Sequence, residues 1–267
     1  MSNFTSPASF SNNIKNFQVD ALRVQVYHSL AEMAKEAAQV AGEYLLEIIK
    51  QKNSANIILA TGQSQIEFLK YLVAISELDW SKITLFHLDE YLGIDGNHPA
   101  SFRYYLREKV EKLVKPKKFY YLEGDTNEPL QECERYSQLL EKYPSDLVCL
   151  GIGKNGHIAF NEPAVADFED PKTVKLIKLD NTTREQLVES GNFAEVELVP
   201  QYAFTLTIPI ICASKKILCF APEKHKAVIV KKILESSIDP QIPATILRKQ
   251  SHATLFLDTS SASSLNI

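Results

Sequence analysis

The fold of this sequence is decided by the stretch Asp146-Leu147-Val148-Cys149-Leu150-Gly151-Ile152-Gly153-Lys154-Asn155-Gly156-His157-Ile158-Ala159-Phe160-Asn161-Glu162-Pro163. Its apolar start predicts a buried strand, and the glycines predict a sharp turn at the end of that strand. The order G-x-G-x-x-G matches a dinucleotide-binding fingerprint, but that fingerprint needs a helix to begin at its last glycine. Pro163 ends any helix here within two turns. We therefore interpret the turn as a catalytic loop that presents Asn155, His157 and Glu162.

Strands and helices alternate on both sides of this loop. Apolar runs predict strands at 22–27, 56–60, 82–88, 118–122, 146–150, 203–206, 216–220 and 253–257, and helical spacing predicts helices at 29–50, 65–75, 102–113, 128–142 and 227–234. This alternation predicts an α/β fold with a doubly wound, mostly parallel sheet flanked by helices, which is a Rossmann-like arrangement. Ligands bind beyond the C-terminal ends of the strands in such sheets, where the loops 61–64, 89–93 and 151–163 are all expected.

The domain organisation follows from length and composition. A chain of 267 residues without a linker-like stretch predicts one α/β catalytic domain over 21–267. Residues 1–20 are rich in Ser and Asn, so we expect a poorly ordered extension that is not a secretory signal. Residues 164–190 are polar and weakly periodic, and we interpret them as a lid.

Composition excludes some classes of partner. The formal net charge of −4 argues against nucleic acid, because that partner normally requires a basic face. No apolar run approaches the roughly 20 residues that span a bilayer, so no membrane segment is expected. Cys149 and Cys219 lie in apolar runs, and the four cysteines form no C-x-x-C pattern. This usage favours buried thiols in a reducing cytoplasm.

Acid–base candidates are found in two of the loops. Asp89 and Glu90 follow a predicted strand, and if the strand continues their side chains point to opposite faces. Asp89 would share a face with His87, so a metal site completed by His157 is one interpretation, although metals usually show a tighter ligand cluster. We favour Asp89 as a general base and His157 as a second acid–base group. The alternative for His157 is a buried structural histidine.

Candidate phosphate ligands lie at two strand-to-helix turns. Thr61, Gly62 and Ser64 open a predicted helix, where amides and hydroxyls can hold an anion. A plain helix cap explains the same three residues and is the better interpretation of that turn alone. Lys224 begins another helix and is either a phosphate ligand or a solvated surface lysine.

The sequence resembles the glucosamine-6-phosphate deaminases, also called isomerases, within the wider group that includes the 6-phosphogluconolactonases. The resemblance covers about residues 25–258 in order and spacing. The lactonases look different at both central motifs, typically with an arginine after Asp-Glu and without Asn-Glu-Pro after the glycine–histidine pair. The residues that carry the resemblance are Leu59-Ala60-Thr61-Gly62 with Ser64, Leu88-Asp89-Glu90-Tyr91-Leu92-Gly93 with His98-Pro99-Ala100-Ser101-Phe102, and Gly151 to Pro163 entire.

The resemblance implies conversion of glucosamine 6-phosphate to fructose 6-phosphate and ammonia, without a metal or an organic cofactor. His157 would open the sugar ring, oriented by Glu162 and Asn155. Asp89 would then move a proton from C2 to C1 through an enolamine. The 6-phosphate would be held by Thr61, Gly62, Ser64 and Lys224, with Arg184 as the candidate for the family's phosphate-binding arginine.

Some features depart from the family pattern and keep alternatives open. Some members have aspartate where this chain has Asn155, so Glu162 must support His157. Regulated members carry two serines at the positions of Val165 and Ala166, so we expect no activation by N-acetylglucosamine 6-phosphate through that site. The alternative functions are hydrolysis of a sugar-phosphate lactone and non-catalytic sensing of a sugar phosphate. Relatives range from monomers upward, which leaves a homo-oligomer open.

Overall fold

The computed structural model describes residues 14–189 and 191–267. Its strands are β1 (Lys15–Val19), β2 (Leu22–Tyr27), β3 (Ala55–Leu59), β4 (Ile83–His87), β5 (Asp89–Tyr91), β6 (Lys118–Phe119), β7 (Leu147–Gly151), β8 (Val174–Lys178), β9 (Tyr202–Leu206), β10 (Ile217–Phe220) and β11 (Ala253–Asp258). Its α-helices are α1 (Leu30–Lys52), α2 (Ile66–Val73), α3 (Phe102–Leu106), α4 (Lys112–Val114), α5 (Pro129–Lys142), α6 (Asn181–Glu189), α7 (Ile208–Cys212) and α8 (Ala227–Glu235). A π-helical turn, Arg107–Glu111, joins α3 to α4.

The main sheet has the order β1-β2-β11-β10-β7-β3-β4-β6. All its neighbouring strands run parallel except β1 and β2. From β3 the chain proceeds to β4 on one side, whereas after β7 it re-enters the main sheet as β10 on the other side. Because the two connections diverge, a crevice opens between the C-terminal ends of β3 and β7. This mostly parallel sheet flanked by helices confirms the predicted fold class.

Alternate residues of the central strands enter two buried clusters on opposite faces of the sheet. Ile57 and Leu59 pack with α1 and α2 on one face, whereas Ile58 packs with α5 and α8 on the other. Both faces are therefore covered, which explains why these strands read as continuous apolar runs. Cys149 and Cys219 are fully buried in the strands, as predicted.

A second, smaller sheet of order β5-β9-β8 lies beside the main one and is antiparallel. Val174, Phe204 and Leu206 of this sheet belong to the same buried cluster as one face of the main sheet. The smaller sheet carries Asp89, which pairs with Thr205 across β5 and β9. It therefore fixes the direction in which the Asp89 side chain points.

Each predicted strand and helix is present with ends within three residues of the prediction, but three segments differ. The expectation of poor order is wrong for Lys15–Val19, which pairs with β2, while residues 1–13 lie outside the described residues. Residues 89–93, interpreted as a loop, contain β5. The segment 164–190, interpreted as a lid, folds into β8 and α6 up to Glu189, and its opening stays a prediction.

The helix ends follow ordinary capping rules. Ser29 caps α1, because its hydroxyl accepts a hydrogen bond from the Glu32 amide at 3.2 Å. Asn53 ends the same helix in the left-handed conformation. In the part of the chain that the structure describes, no helix has the length and apolar character needed to cross a membrane.

Candidate active site

A cavity of about 530 Å³ opens in the crevice at the C-terminal ends of β3 and β7. The predicted loops 61–64 and 151–163 both border it, together with the start of β5. Its wall is formed by Ala60, Thr61, Gly62, Gln63, Ser64, Leu88, Asp89, Tyr91, Phe102, Gly151, Ile152, Gly153, Lys154, His157, Ala159, Phe160, Thr183, Leu187, Glu189, Asn192, Pro222, Glu223, His225 and Lys226. Asp89 and His157, predicted as acid–base groups from distant parts of the sequence, therefore border one space.

His157 is held by a network of polar side chains behind it. Its Nδ1 lies 2.8 Å from Oε1 of Glu162, and the same oxygen accepts a hydrogen bond from the Thr183 hydroxyl at 3.1 Å. The other oxygen of Glu162 accepts a hydrogen bond from the side-chain amide of Asn155. The Asn155 carbonyl oxygen in turn accepts from the His157 backbone N–H at 3.1 Å. Both oxygens of Glu162 are thus engaged, and Nδ1 of His157 is fixed.

The glycines of the loop make room for this arrangement. A Cβ atom added at Gly153 would overlap the imidazole ring of His157, so only glycine lets the ring pack against the turn. Gly156 has a φ of 89°, which side chains rarely adopt, and a Cβ there would lie 2.7 Å from Ile242. The G-x-G-x-x-G spacing therefore serves the placement of a histidine rather than of a pyrophosphate.

The environment of Glu162 favours its ionised form. Burial by itself raises the pKa of this carboxyl, but the hydrogen bonds from His157, Asn155 and Thr183 outweigh burial and hold the pKa below its usual value. An aspartate in place of Asn155 could not donate a hydrogen bond to Glu162 when ionised. The amide therefore supports Glu162 by donation, without adding a negative charge beside His157.

Asp89 has the opposite environment. Its side chain is buried at the cavity wall, and burial raises the pKa of the Asp89 carboxyl well above its usual value, with repulsion from Glu90 adding to the effect. A carboxyl with a raised pKa is a stronger base when ionised and keeps a captured proton longer. Both properties suit a group that takes a proton from carbon and returns it.

Glu90 points away from the cavity, as the alternation of a strand requires. Its carboxylate accepts hydrogen bonds from the Ser101 hydroxyl at 2.8 Å and from the Phe102 and Arg103 amides at 3.1 and 2.9 Å. These amides belong to the first turn of α3, where a carboxylate is stabilised. Glu90 therefore anchors β5 to α3 and fixes the strand that carries Asp89.

Thr205 of β9 links the two reactive elements. It pairs with Asp89 through the sheet, and its hydroxyl accepts a hydrogen bond from the Phe160 amide at 3.1 Å. Asn161 extends the link, since its side-chain amide donates to the Leu206 carbonyl at 2.8 Å. These contacts hold the loop with His157 and the strand with Asp89 in a fixed position relative to each other.

The turn after β3 presents Thr61, Gly62, Gln63 and Ser64 to the cavity, and the last two begin the 3₁₀ segment Gln63–Gln65. Gly62 has a φ of 96°. A Cβ atom at Gly151 would lie 2.7 Å from the Ser64 hydroxyl oxygen, so glycine at the end of β7 allows this turn to approach. The turn and the histidine loop therefore meet at the switch between β3 and β7.

The lysine that faces the cavity is not the one that the sequence suggested. Lys224 is exposed and does not line the cavity, whereas Lys226 does. The Lys226 ammonium donates a hydrogen bond to the Ile152 carbonyl at 2.6 Å, and burial followed by repulsion from Lys154 lowers its pKa to about 8. His225 lies beside Lys226, and burial followed by repulsion from Lys226 lowers the pKa of its imidazole. We call the two lysines, Lys154 and Lys226, the cationic cluster. Both line the cavity.

Arg184 does not line the cavity either. Its guanidinium donates to the backbone carbonyls of Val196 and Val199, at 2.6 and 3.1 Å, and so ties α6 to the segment that follows it. The cavity-lining residues Thr183, Lys154 and Lys226 escaped the sequence reasoning. The only available signal was their position within two residues of a residue already considered, namely Arg184, Asn155 and Lys224 respectively.

His87 is a structural histidine. It is fully buried below the cavity, its Nε2 accepts the Leu122 amide at 2.8 Å, and burial lowers its pKa to about 3. It therefore stays neutral at physiological pH. Within residues 14–189 and 191–267, no group of three or more His, Cys, Asp and Glu is placed to hold a metal ion.

Comparisons with known proteins identify the family of this chain. Residues 28–256 match the family described as Glucosamine-6-phosphate isomerases/6-phosphogluconolactonase. A glucosamine-6-phosphate deaminase of Streptococcus pneumoniae serotype 4 is 37% identical over 227 residues, which are 84% of this chain and 95% of that protein.

Solved structures of the two enzyme types share the fold. The structure of a monomeric glucosamine-6-phosphate deaminase superposes with a TM-score of 0.83 at 30% identity and covers 90% of this chain and 99% of its own. A 6-phosphogluconolactonase from Shewanella baltica gives a TM-score of 0.73 at 18% identity over 92% of this chain and 99% of its own, a likeness of fold alone. The chain belongs to the family of glucosamine-6-phosphate isomerases and 6-phosphogluconolactonases.

Proposed function

We propose that this protein is a glucosamine-6-phosphate deaminase, which converts glucosamine 6-phosphate to fructose 6-phosphate and ammonia. The observation that carries the proposal is that Asp89 borders the same cavity as His157, whose imidazole is paired with Glu162. The deaminases among the relatives lend further support, at 37% and 30% identity. The substrate class is an amino sugar that carries a phosphate group.

His157 performs the first step, opening of the sugar ring. With Nδ1 held at Glu162, Nε2 is the nitrogen left to exchange a proton with the substrate. It takes the proton of the C1 hydroxyl and gives a proton to the ring oxygen. The bond between C1 and the ring oxygen breaks, and an aldehyde forms at C1. Glu162 stabilises the imidazolium between the two transfers because it is ionised.

Asp89 performs the second step, isomerisation. Its carboxylate removes the proton from C2 while a proton passes from the substrate ammonium to the C1 oxygen, which gives an enolamine. Asp89 then returns the C2 proton to C1. The substrate ammonium at C2 lies next to the proton that is removed, and its positive charge favours the ionised form of the buried carboxyl. The product at C2 is an iminium group. Water adds to it, ammonia leaves, and the ketone of fructose 6-phosphate forms.

The phosphate group of the substrate is held by the turn after β3 and by the cationic cluster. Thr61, Gly62 and Ser64 supply hydroxyls and amides, and Lys226 supplies a positive charge from a fixed position. The role first assigned to Lys224 thus passes to its neighbour Lys226. We assign no phosphate contact to Arg184, because it does not line the cavity and its Nη2 donates to two backbone carbonyls.

The experiment is an assay of ammonia release from glucosamine 6-phosphate with the Asp89→Asn variant. Asparagine has nearly the same shape but cannot take a proton, so we expect turnover to fall by about 10²- to 10⁴-fold while substrate still binds. Asp167→Asn is the matched control, because Asp167 is exposed and does not line the cavity. Full activity in Asp89→Asn contradicts the assignment of the base. Consumption of 6-phosphogluconolactone without ammonia release selects the lactonase function instead, and binding without any turnover selects the sensor.

We also propose a cytoplasmic location for the enzyme, and its oligomeric state can be tested. Cys133, Cys149, Cys212 and Cys219 are all free thiols, which fits a reducing cytoplasm. Fractionation of cells that express the protein tests this placement. Formation of a homo-oligomer stays a prediction, which sedimentation velocity of the purified chain tests.

A further inference from the structure

Glu223 has an unusual backbone conformation at the cavity wall. It lies between β10 and α8, lines the cavity, and has a φ of 74° and a ψ of 150°. Residues other than glycine almost never adopt this region, and it is found mainly where the surroundings enforce it at functional sites. Glu223 is thus a strained residue in direct reach of the cavity.

The surroundings that enforce this conformation belong to β11. Both oxygens of the Asp258 carboxylate accept the backbone N–H of Glu223, at 3.2 and 3.1 Å. Asp258 is buried and is itself held by the Ser261 amide, which donates to it at 2.7 Å. Pro222 restricts the chain on the other side. Asp258 and Pro222 therefore fix the main chain of Glu223, and its side chain lies on the cavity wall.

The charge of Glu223 acts on the cationic cluster. Its Oε2 lies 3.3 Å from Nδ1 of His225, the residue that precedes Lys226 in the chain. The carboxylate also attracts the ammonium of Lys226, since it raises the pKa of Lys226 against the lowering by burial and by Lys154. The same positive charges that are available to a phosphate group are thus partly offset by a carboxylate.

We propose that Glu223 is an affinity-setting residue of the phosphate site, which weakens the hold of the cavity on phosphate monoesters. This inference rests on the proposed function, because it assumes that the cationic cluster holds the 6-phosphate. A carboxylate beside Lys226 repels the phosphate dianion of the substrate and of the product alike. Weaker binding raises KM and speeds the departure of fructose 6-phosphate.

The test measures the KM of glucosamine 6-phosphate and the Kd of inorganic phosphate in Glu223→Gln at low ionic strength. We expect both constants to fall by about threefold to tenfold, because one partly solvated negative charge is removed. The effect should shrink as salt is added. Glu235→Gln is the matched control: Glu235 is 50% exposed against 51% for Glu223, is paired with a lysine on α8, and does not line the cavity. It should change neither constant.

Glu223→Gly separates charge from strain. It should lower both constants as the glutamine variant does and also raise Tm by about 2–4 °C, because glycine adopts this backbone freely. Unchanged or weaker phosphate binding in Glu223→Gln overturns the inference, as does a wild-type protein that binds no phosphate. A wild-type protein that binds phosphate but releases no ammonia refutes the proposed function alone, since the shift in Kd of inorganic phosphate still decides the role of Glu223.

Discussion

His157 and His225 both border the cavity, and the Nδ1 atom of each imidazole faces a glutamate oxygen. The distance is 2.8 Å in the pair His157–Glu162 and 3.3 Å in the pair His225–Glu223. Their surroundings differ. Glu162 is only 5% exposed and accepts hydrogen bonds from Asn155 and Thr183, whereas Glu223 is 51% exposed. The first pair is enclosed, with further hydrogen bonds to its glutamate, and the second is solvated.

This difference determines what each pair can do. In an enclosed site a hydrogen bond is stronger and fixes orientation, which is the requirement for transferring a proton at a defined atom. A solvated pair contributes little to stability, about 0–1 kcal/mol, and acts mainly through its long-range charge. We therefore assign His157–Glu162 to catalysis and His225–Glu223 to the strength of ligand binding.

The largest effect should come from removing the enclosed histidine. His157→Gln should lower kcat by about 10²- to 10⁴-fold with little change in KM, because ring opening loses its acid–base group while the phosphate contacts remain. Steady-state assays of ammonia release measure both constants. His252→Gln is the control, since His252 bonds to the Cys212 carbonyl and does not line the cavity. A loss of kcat in His225→Gln that equals the loss in His157→Gln would break the contrast between the pairs.

A smaller effect should separate the two lysines near the solvated pair. Lys226→Met should raise the KM of glucosamine 6-phosphate by about tenfold to a hundredfold, the usual range for losing a hydrogen bond to a charged group. Lys224→Met should leave KM unchanged, because Lys224 is exposed and lies outside the cavity wall. The reverse result would return the phosphate contact to Lys224 and remove the basis for the role of Glu223.

These two lysines also show which site residues cannot be predicted from the sequence. Asn155, His157 and Glu162 could be predicted together because they lie within eight residues on one loop, and glycine spacing constrains that loop. Lys224 and Lys226 lie on one short 3₁₀ segment, Lys224–Lys226, where a rotation of the chain decides which side chain faces inward. Only the fold supplies that rotation.

Long-range contacts could likewise not be predicted from the sequence. The Thr183 hydroxyl donates a hydrogen bond to Glu162 from the segment that we interpreted as a lid. The Thr205 hydroxyl accepts one from the Phe160 amide and lies in β9, which was predicted only as a strand. The strand β5 is only three residues long, and both β5 and β8 are stabilised by pairing with β9, a tertiary contact that local propensity does not specify. The main sheet was predictable because its strands are buried on both faces and alternate with long helices.

The smallest effect concerns stability, because the two buried acids Glu162 and Asp89 have pKa values shifted in opposite directions. Glu162 has a lowered pKa in the folded protein, so its stabilising contribution is present above its unfolded pKa of about 4.3 and is lost as pH falls through the folded pKa. Asp89 has a raised pKa, so its contribution is present below its unfolded pKa of about 3.9 and is lost as pH rises toward the folded pKa.

At neutral pH the two amide variants should therefore change stability in opposite directions. Glu162→Gln should lower the free energy of unfolding and Asp89→Asn should raise it, each by on the order of 1 kcal/mol. Both differences should shrink near pH 4, and the solvated Glu223→Gln should show almost none. Urea unfolding at several pH values measures these differences. Two shifts of the same sign would contradict the assigned pKa directions.

The central claim is that Asp89 and His157 act on one amino-sugar phosphate. The most direct measurement incubates the wild-type protein with glucosamine 6-phosphate and quantifies ammonia and fructose 6-phosphate in the same sample. The account predicts both products in equal amounts. Absence of both products, or hydrolysis of 6-phosphogluconolactone in their place, would contradict it.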